Sequence, residues 1–93
     1  MDNIYLKKVP VISSNCAFSD HDGEKVVLNI ETGKYFKLNF IGSKVFNLMV
    51  DKRNIESIVD IIAKDYDCSS DTIKQDIQAF INQCKDFDLV KLN

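Results

Sequence analysis

The chain has no tryptophan, one proline, one histidine and three glycines among its 93 residues. With so few helix and strand breakers, most of it is free to form regular structure, and the breakers present, Pro10, Gly23, Gly33 and Gly42, all fall in the first half. Cysteine is as sparse. Cys16, Cys68 and Cys84 are far apart and odd in number, without a C-x-x-C pair, and His21 is the only histidine that could join them. That set suits neither a metal site nor a disulfide framework, so three reduced, mostly buried thiols are expected. No apolar run approaches the roughly 20 residues that span a bilayer. Residues 1–10 carry Asp2, Lys7 and Lys8 with no signal-type apolar stretch behind them. These absences predict a cytoplasmic chain without a membrane partner. A formal net charge of −2 supplies no field to hold a polyanion, which sets nucleic acid aside as a partner.

What is present is ordinary globular material, 45% apolar and 28% charged, at a length that builds one modest core. A single domain over 1–93 is expected. Asp20-His21-Asp22-Gly23 and Glu31-Thr32-Gly33 read as turns, because Asp and Gly accept the backbone angles tight turns need. Three strand candidates lie around them, at about 15–19, 25–30 and 34–38. The second alternates Val26, Leu28 and Ile30 with Val27 and Asn29. The third puts Phe36 and Leu38 on one face and Tyr35 and Lys37 on the other, and the short gap at Thr32-Gly33 makes it hairpin with the second.

After Asn39 the apolar period changes to three and four. Ile41, Val45, Phe46, Leu48 and Met49 mark a first helix. Asn54 caps a second, striped by Ile55, Ile58, Val59 and Ile62. Ser69 or Ser70 caps a third, striped by Ile73, Ile77, Phe80, Ile81, Cys84 and Phe87, and Leu89, Val90 and Leu92 form an apolar tail. Strands in one run and helices in another predict an α+β fold, winged helix-turn-helix-like, with a three-stranded antiparallel sheet followed by three helices.

Catalytic chemistry needs convergent acid, base and nucleophile groups, and the sequence offers few. His21 with Asp20 and Asp22 sits in one predicted turn, where backbone preferences account for all three. Cys84 lies on an apolar stripe and Cys16 in a predicted strand, and Cys68 has no nearby histidine to activate it. Asp65-Tyr66-Asp67 lacks the glycine and later carboxylates of a calcium loop. Glycines nine residues apart at Gly33 and Gly42 do not make a phosphate cradle. No catalytic residue, metal or cofactor is expected.

A meander does leave the third strand with a free edge, and an unpaired row of amides and carbonyls is either blunted or used. Lys34 and Lys37 are residues of the blunting kind. A guest strand arriving there gains main-chain hydrogen bonds, while the adjacent third helix offers a side pocket for alternate guest residues. Tyr35 points away from the packed face of Phe36 and Leu38 and is the better contact. Ile73, Ile77 and Phe80 are core residues first.

Asp22-Gly23, Val27-Leu28-Asn29, Thr32-Gly33-Lys34-Tyr35-Phe36-Lys37-Leu38-Asn39 and Gly42, followed by Asp76-Ile77-Gln78-Ala79-Phe80-Ile81 and Phe87-Asp88-Leu89-Val90, resemble the PqqD family over nearly the whole chain. Cys84 stands where that family usually has leucine, and Asp88 where a glycine commonly precedes the final Leu-Val. The resemblance implies a precursor-peptide recognition element that holds a leader peptide between its third strand and third helix, most like the stand-alone members of lasso-peptide pathways. The implied partners are the leader region of a ribosomally made precursor and a leader peptidase or other maturation enzyme. The implied peptide-binding residues are Lys34, Tyr35, Phe36, Lys37, Leu38, Ile73, Asp76, Ile77 and Phe80, with Asp76 resting on the family match.

Two rival readings stand beside this adaptor. One is the same module serving a radical-enzyme modification pathway. The other is a winged-helix DNA-binding regulator, against which the third helix speaks: Asp71, Asp76, Asp86 and Asp88 against Lys74 and Lys85 leave it at net −2. The pairs Lys7-Lys8 and Lys52-Arg53 read as solvated loop charges.

Overall fold

The computed structural model describes residues 2–22 and 24–93. The elements run α1 (Asp2–Lys7), β1 (Pro10–Ile12), β2 (Cys16–His21), β3 (Glu24–Asn29), β4 (Tyr35–Leu38), α2 (Phe40–Val50), α3 (Ile55–Asp65), α4 (Ser70–Asp86) and β5 (Val90–Leu92). The expected α+β architecture is present, a three-stranded antiparallel sheet in the order β2-β3-β4 followed by three helices. Two additions escaped the periodicity. Helix α1 precedes the sheet, and the apolar tail is a strand, β5, that pairs antiparallel with β1 in a second, two-stranded sheet. Pairing the two ends of the chain is a non-local contact that leaves no local pattern behind.

The turn expected over 20–23 is narrower than its composition suggests. Strand β2 continues through Asp20 and His21, which lie opposite Lys25 and Glu24, and only Asp22, at φ +54°, leaves extended geometry. Gly23 lies outside the described residues. Asp20 stays extended because its carboxylate meets the Lys25 ammonium across the strands at 2.8 Å. The second turn behaves as composed, with Gly33 at φ +76°, a left-handed conformation that glycine adopts without strain.

The helices form where their caps and stripes place them. The side chains of Asn39, Asn54 and Ser69 accept hydrogen bonds from the backbone N–H groups of Gly42, Ser57 and Thr72, closing the first turns of α2, α3 and α4. Val45, Phe46 and Met49 of α2, Ile55, Ile58 and Ile62 of α3, and Ile73, Ile77 and Ile81 of α4 are buried together. Against them the sheet presents the face of Lys25, Val27 and Asn29, leaving Val26 and Leu28 half-buried and Ile30 exposed on the other side. Lys25 is buried by laying its stem along aromatic rings: its ammonium sits 4.8 Å from the Phe18 centroid and 5.9 Å from that of Phe46, with Asp20 neutralising it.

Asn29 is the other buried polar residue of this face. Its amide nitrogen donates to the Phe87 carbonyl at 2.8 Å, and its amide oxygen accepts from the backbone N–H groups of Glu31 at 2.9 Å and Thr32 at 3.2 Å. One side chain thus holds the β3–β4 turn in shape and ties it to the end of α4. Asn29→Ala should leave those buried groups unmatched and cost about 2–4 kcal/mol, a thermal midpoint lower by roughly 10–20 °C. A scanning-calorimetry midpoint within a few degrees of the parent would show that Asn29 holds nothing.

The three thiols differ in their surroundings: Cys84 is buried, Cys16 half-buried and Cys68 exposed. Burial, and then the neighbouring Cys16, push the Cys84 thiol up to about 12, and burial raises Cys16 as well, so neither is a nucleophile near neutral pH. The stability that Cys84 contributes as a neutral thiol is complete below its ordinary value of about 9, and is lost as the pH rises through about 12, because only the unfolded thiol ionises freely in that window. Chemical denaturation across that range should show a shallower alkaline fall for Cys84→Ala than for the parent, and parallel falls would contradict the assignment.

Candidate functional site

Strand β4 lies at the end of its sheet, with β3 on one side and no strand among the described residues on the other. Which of its backbone groups face outward follows from the register. Lys25 opposes Leu38, Val27 opposes Phe36, and the N–H of Asn29 donates to the carbonyl of Lys34 at 2.9 Å. In an antiparallel pair the bonded positions alternate, so Lys34, Phe36 and Leu38 turn their main-chain groups toward β3, while Tyr35 and Lys37 turn theirs to the open edge. The side chains divide the other way. Tyr35 and Lys37 stand exposed on the outer face, with Lys37 3.4 Å from Glu24, whereas Leu38 is buried and Phe36 half-buried. The Phe36 ring meets that of Phe87 edge-on at 5.2 Å.

Beside this edge the start of α2 and the first half of α4 enclose a cavity of about 240 Å³, lined by Asn39, Ile41, Gly42, Val45, Ile73, Asp76, Ile77 and Phe80. Its walls are apolar, and Asp76 and Asn39 are the polar members. A Cβ at Gly42 would make ordinary contact with the Phe80 ring and Leu38, at 3.5 Å each, and a tight one, at 3.2 Å, with the capping oxygen of Asn39. The volume is below the roughly 300–1,000 Å³ of sites that enclose small molecules or cofactors, and suits one or two guest side chains.

All four helical residues expected from the sequence, Ile73, Asp76, Ile77 and Phe80, line this one cavity. The five strand residues form the neighbouring edge, where Leu38 serves the core instead of the surface. Asn39, Ile41, Gly42 and Val45 complete the wall and were not among the expected residues. The exposed Phe40 and Ile41 directly after a capping asparagine were the signal available for them. A larger groove of about 730 Å³ runs past Val11, Ser13, Asn15, Ile30, Asp88 and Lys91. No residue of β4 lines either cavity, but the smaller one joins the strand through Asn39, which follows Leu38 directly, and Gly42, which packs against Leu38. His21 lies 3.1 Å from the Ser19 hydroxyl, and Asp20 is paired with Lys25. Among the described residues no three His, Cys, Asp or Glu side chains converge to hold a metal ion, and no helix is long and apolar enough to cross a membrane.

A protein-family model described as coenzyme PQQ synthesis protein D (PqqD) matches residues 24–90. Among solved structures, that of TbiB1 in complex with the TbiA(beta) leader peptide is 30% identical, with 87% of this chain and 94% of that one covered and a TM-score of 0.84. A lasso peptide synthetase B1 complexed with the leader peptide is 16% identical, with 89% and 98% covered and a TM-score of 0.82, a likeness of fold. None of the curated proteins compared matches the chain.

The free edge has a direct readout. In hydrogen exchange the backbone amides of Tyr35 and Lys37 should exchange much faster than that of Phe36. Equal protection across the three would mean that the edge is already covered.

Proposed function

The chain belongs to the PqqD family, and on that footing we propose that it is a non-catalytic adaptor that binds the leader region of a ribosomally made precursor peptide by adding it as a strand to the free edge of β4. The pathway is that of a lasso peptide, and the adaptor presents the bound precursor to a leader peptidase or other maturation enzyme. The observation that carries this reading is the adjacency of an unpaired strand edge and an apolar cavity of side-chain size. An extended guest gains main-chain bonds from Tyr35 and Lys37, and its residues on the inner side reach toward Phe36, Phe80 and the cavity between α2 and α4. The 30% identical TbiB1, solved with a leader peptide, supports a guest of that chemistry. Tyr35 and Lys37 frame the guest on the outer face, Ile73, Ile77 and Phe80 supply the apolar wall, and Asp76 marks its rim with a carboxylate.

Ordering a short flexible strand offsets much of its contact energy, so leader affinity is expected between about micromolar and tens of nanomolar, with only a modest loss as salt rises. Proline substitution separates the two backbone parities. Phe36→Pro removes a donor that β3 uses and should unfold or strongly destabilise the domain. Tyr35→Pro or Lys37→Pro should keep the fold and lower leader affinity about tenfold or more, by deleting one guest hydrogen bond and obstructing the approach. The measurement is a titration of labelled leader segment into each variant beside its thermal midpoint. Folded Tyr35→Pro and Lys37→Pro variants that bind the leader at parental strength would overturn strand addition.

A further inference from the structure

The two basic pairs that looked like isolated loop charges in the sequence come together in the fold. The N–H of Ile55, at the start of α3, donates to the carbonyl of Lys8 at 3.0 Å. The N–H groups of Lys52 and Arg53 donate back to Met49 at 2.9 Å and Leu48 at 3.3 Å, folding the α2–α3 connection onto the end of α2. Arg53 then extends along the first turn of α3, with its guanidinium 3.5 Å from the Ser57 hydroxyl. Lys7, Lys8, Lys52 and Arg53 therefore share one end of the molecule, in a chain whose net charge is −2. Among the described residues, the ion pairs Lys25–Asp20, Lys37–Glu24 and Lys44–Asp65 involve none of these four. Two apolar side chains stand exposed on the same elements, Ile4 at 71% on α1 and Val50 at 43% on the last turn of α2.

From this convergence we infer that the α1–β1 junction, the end of α2 and the start of α3 form a docking surface for a protein partner whose own surface is acidic and studded with apolar side chains. The cations give the charge complementarity that steers such a partner and selects it, and Ile4 and Val50 give the apolar contact that charge alone does not supply. Interleaved carboxylates decide the class of partner. Asp51 and Glu56 are exposed beside the four cations, and would repel the unbroken phosphate line of a nucleic acid or an anionic bilayer. A protein surface, with its own mixture of charges, accommodates them. Position decides what the partner leaves free. Phe40 and Ile41 open α2 at the peptide cavity and Val50 closes it at the basic end, so the 11-residue helix sets the two apart by about 16 Å of helical rise. Both faces can be occupied at once. On the proposed function the partner is the enzyme that receives the precursor, and that identification alone rests on the proposed reading.

The test uses the full chain, isotopically labelled, with three probes: a synthetic peptide alternating glutamate pairs with leucine, a DNA duplex of equal charge, and phosphatidylglycerol vesicles. The peptide should shift the amide resonances of residues 7, 8, 50, 52 and 53, and bind more tightly than the duplex or the vesicles. Lys52→Glu with Arg53→Glu should weaken peptide binding about tenfold or more, while the same charge change at Lys64 and Lys85, both exposed elsewhere, should weaken it far less. If the reversed pair fails to fold, Lys52→Gln with Arg53→Gln takes its place. A leader segment titrated into the same variants should keep its affinity, and this arm reads the β4 edge independently of the basic end. Absence of the amide shifts, equal weakening in both charge variants, a duplex or vesicles binding more tightly than the peptide, or leader affinity falling with the Lys52 and Arg53 pair would each overturn the inference.

Discussion

The buried amide of Asn29 stands where the turn, the strand edge and the last helix meet. Three of its hydrogen bonds join the Glu31–Thr32 backbone to the Phe87 carbonyl at the close of α4. The turn it shapes sets where β4 begins, and hence which main-chain groups of β4 face outward. Beyond that link the edge is held by the β3 ladder, the buried Leu38 and the contact of the Phe36 ring with Phe87. Lys25, on the same face, solves a similar problem at the other end of β3 by pairing with Asp20 over the Phe18 and Phe46 rings. Both polar residues are buried because every strong polar group they bring has a partner.

An open strand edge invites any other strand, including one from a second copy of the chain. Here the invitation is narrow. Strand β4 has four residues, and Lys37 stands on it with Lys34 immediately before it. Short length and lysine suppress indiscriminate pairing. Gly42 matters here for what it omits, since a Cβ would press on the capping oxygen of Asn39 at 3.2 Å. Helix α2 separates the apolar cavity at its first turn from the four cations gathered near its last.

Much of the fold was legible in local pattern, because caps, periods and turn residues act within a few positions. Asn39, Asn54 and Ser69 cap helices by bonding three residues ahead, Gly33 takes the left-handed angle its turn requires, and the stripes on α3 and α4 are the buried faces. The same locality made Ile73, Ile77 and Phe80 recognisable as one helical face, Asp76 came from the family resemblance, and all four line one cavity. What the tertiary structure alone decided is every feature that depends on elements distant in sequence. The pairing of β1 with β5 joins Pro10 to Leu92 across almost the full chain. The face of β3 turned inward is that of Lys25, Val27 and Asn29, and counting apolar residues cannot reveal this, since partners from β2, the turn and α4 make two polar side chains compatible with burial. The opposite wall of the cavity comes from α2, the outward parity of Tyr35 and Lys37 from the β3–β4 register, and the joining of Lys7 and Lys8 to Lys52 and Arg53 from one backbone hydrogen bond between Ile55 and Lys8. Local preference is written residue by residue, whereas a site made between elements exists only once packing has brought them within a few ångströms of each other.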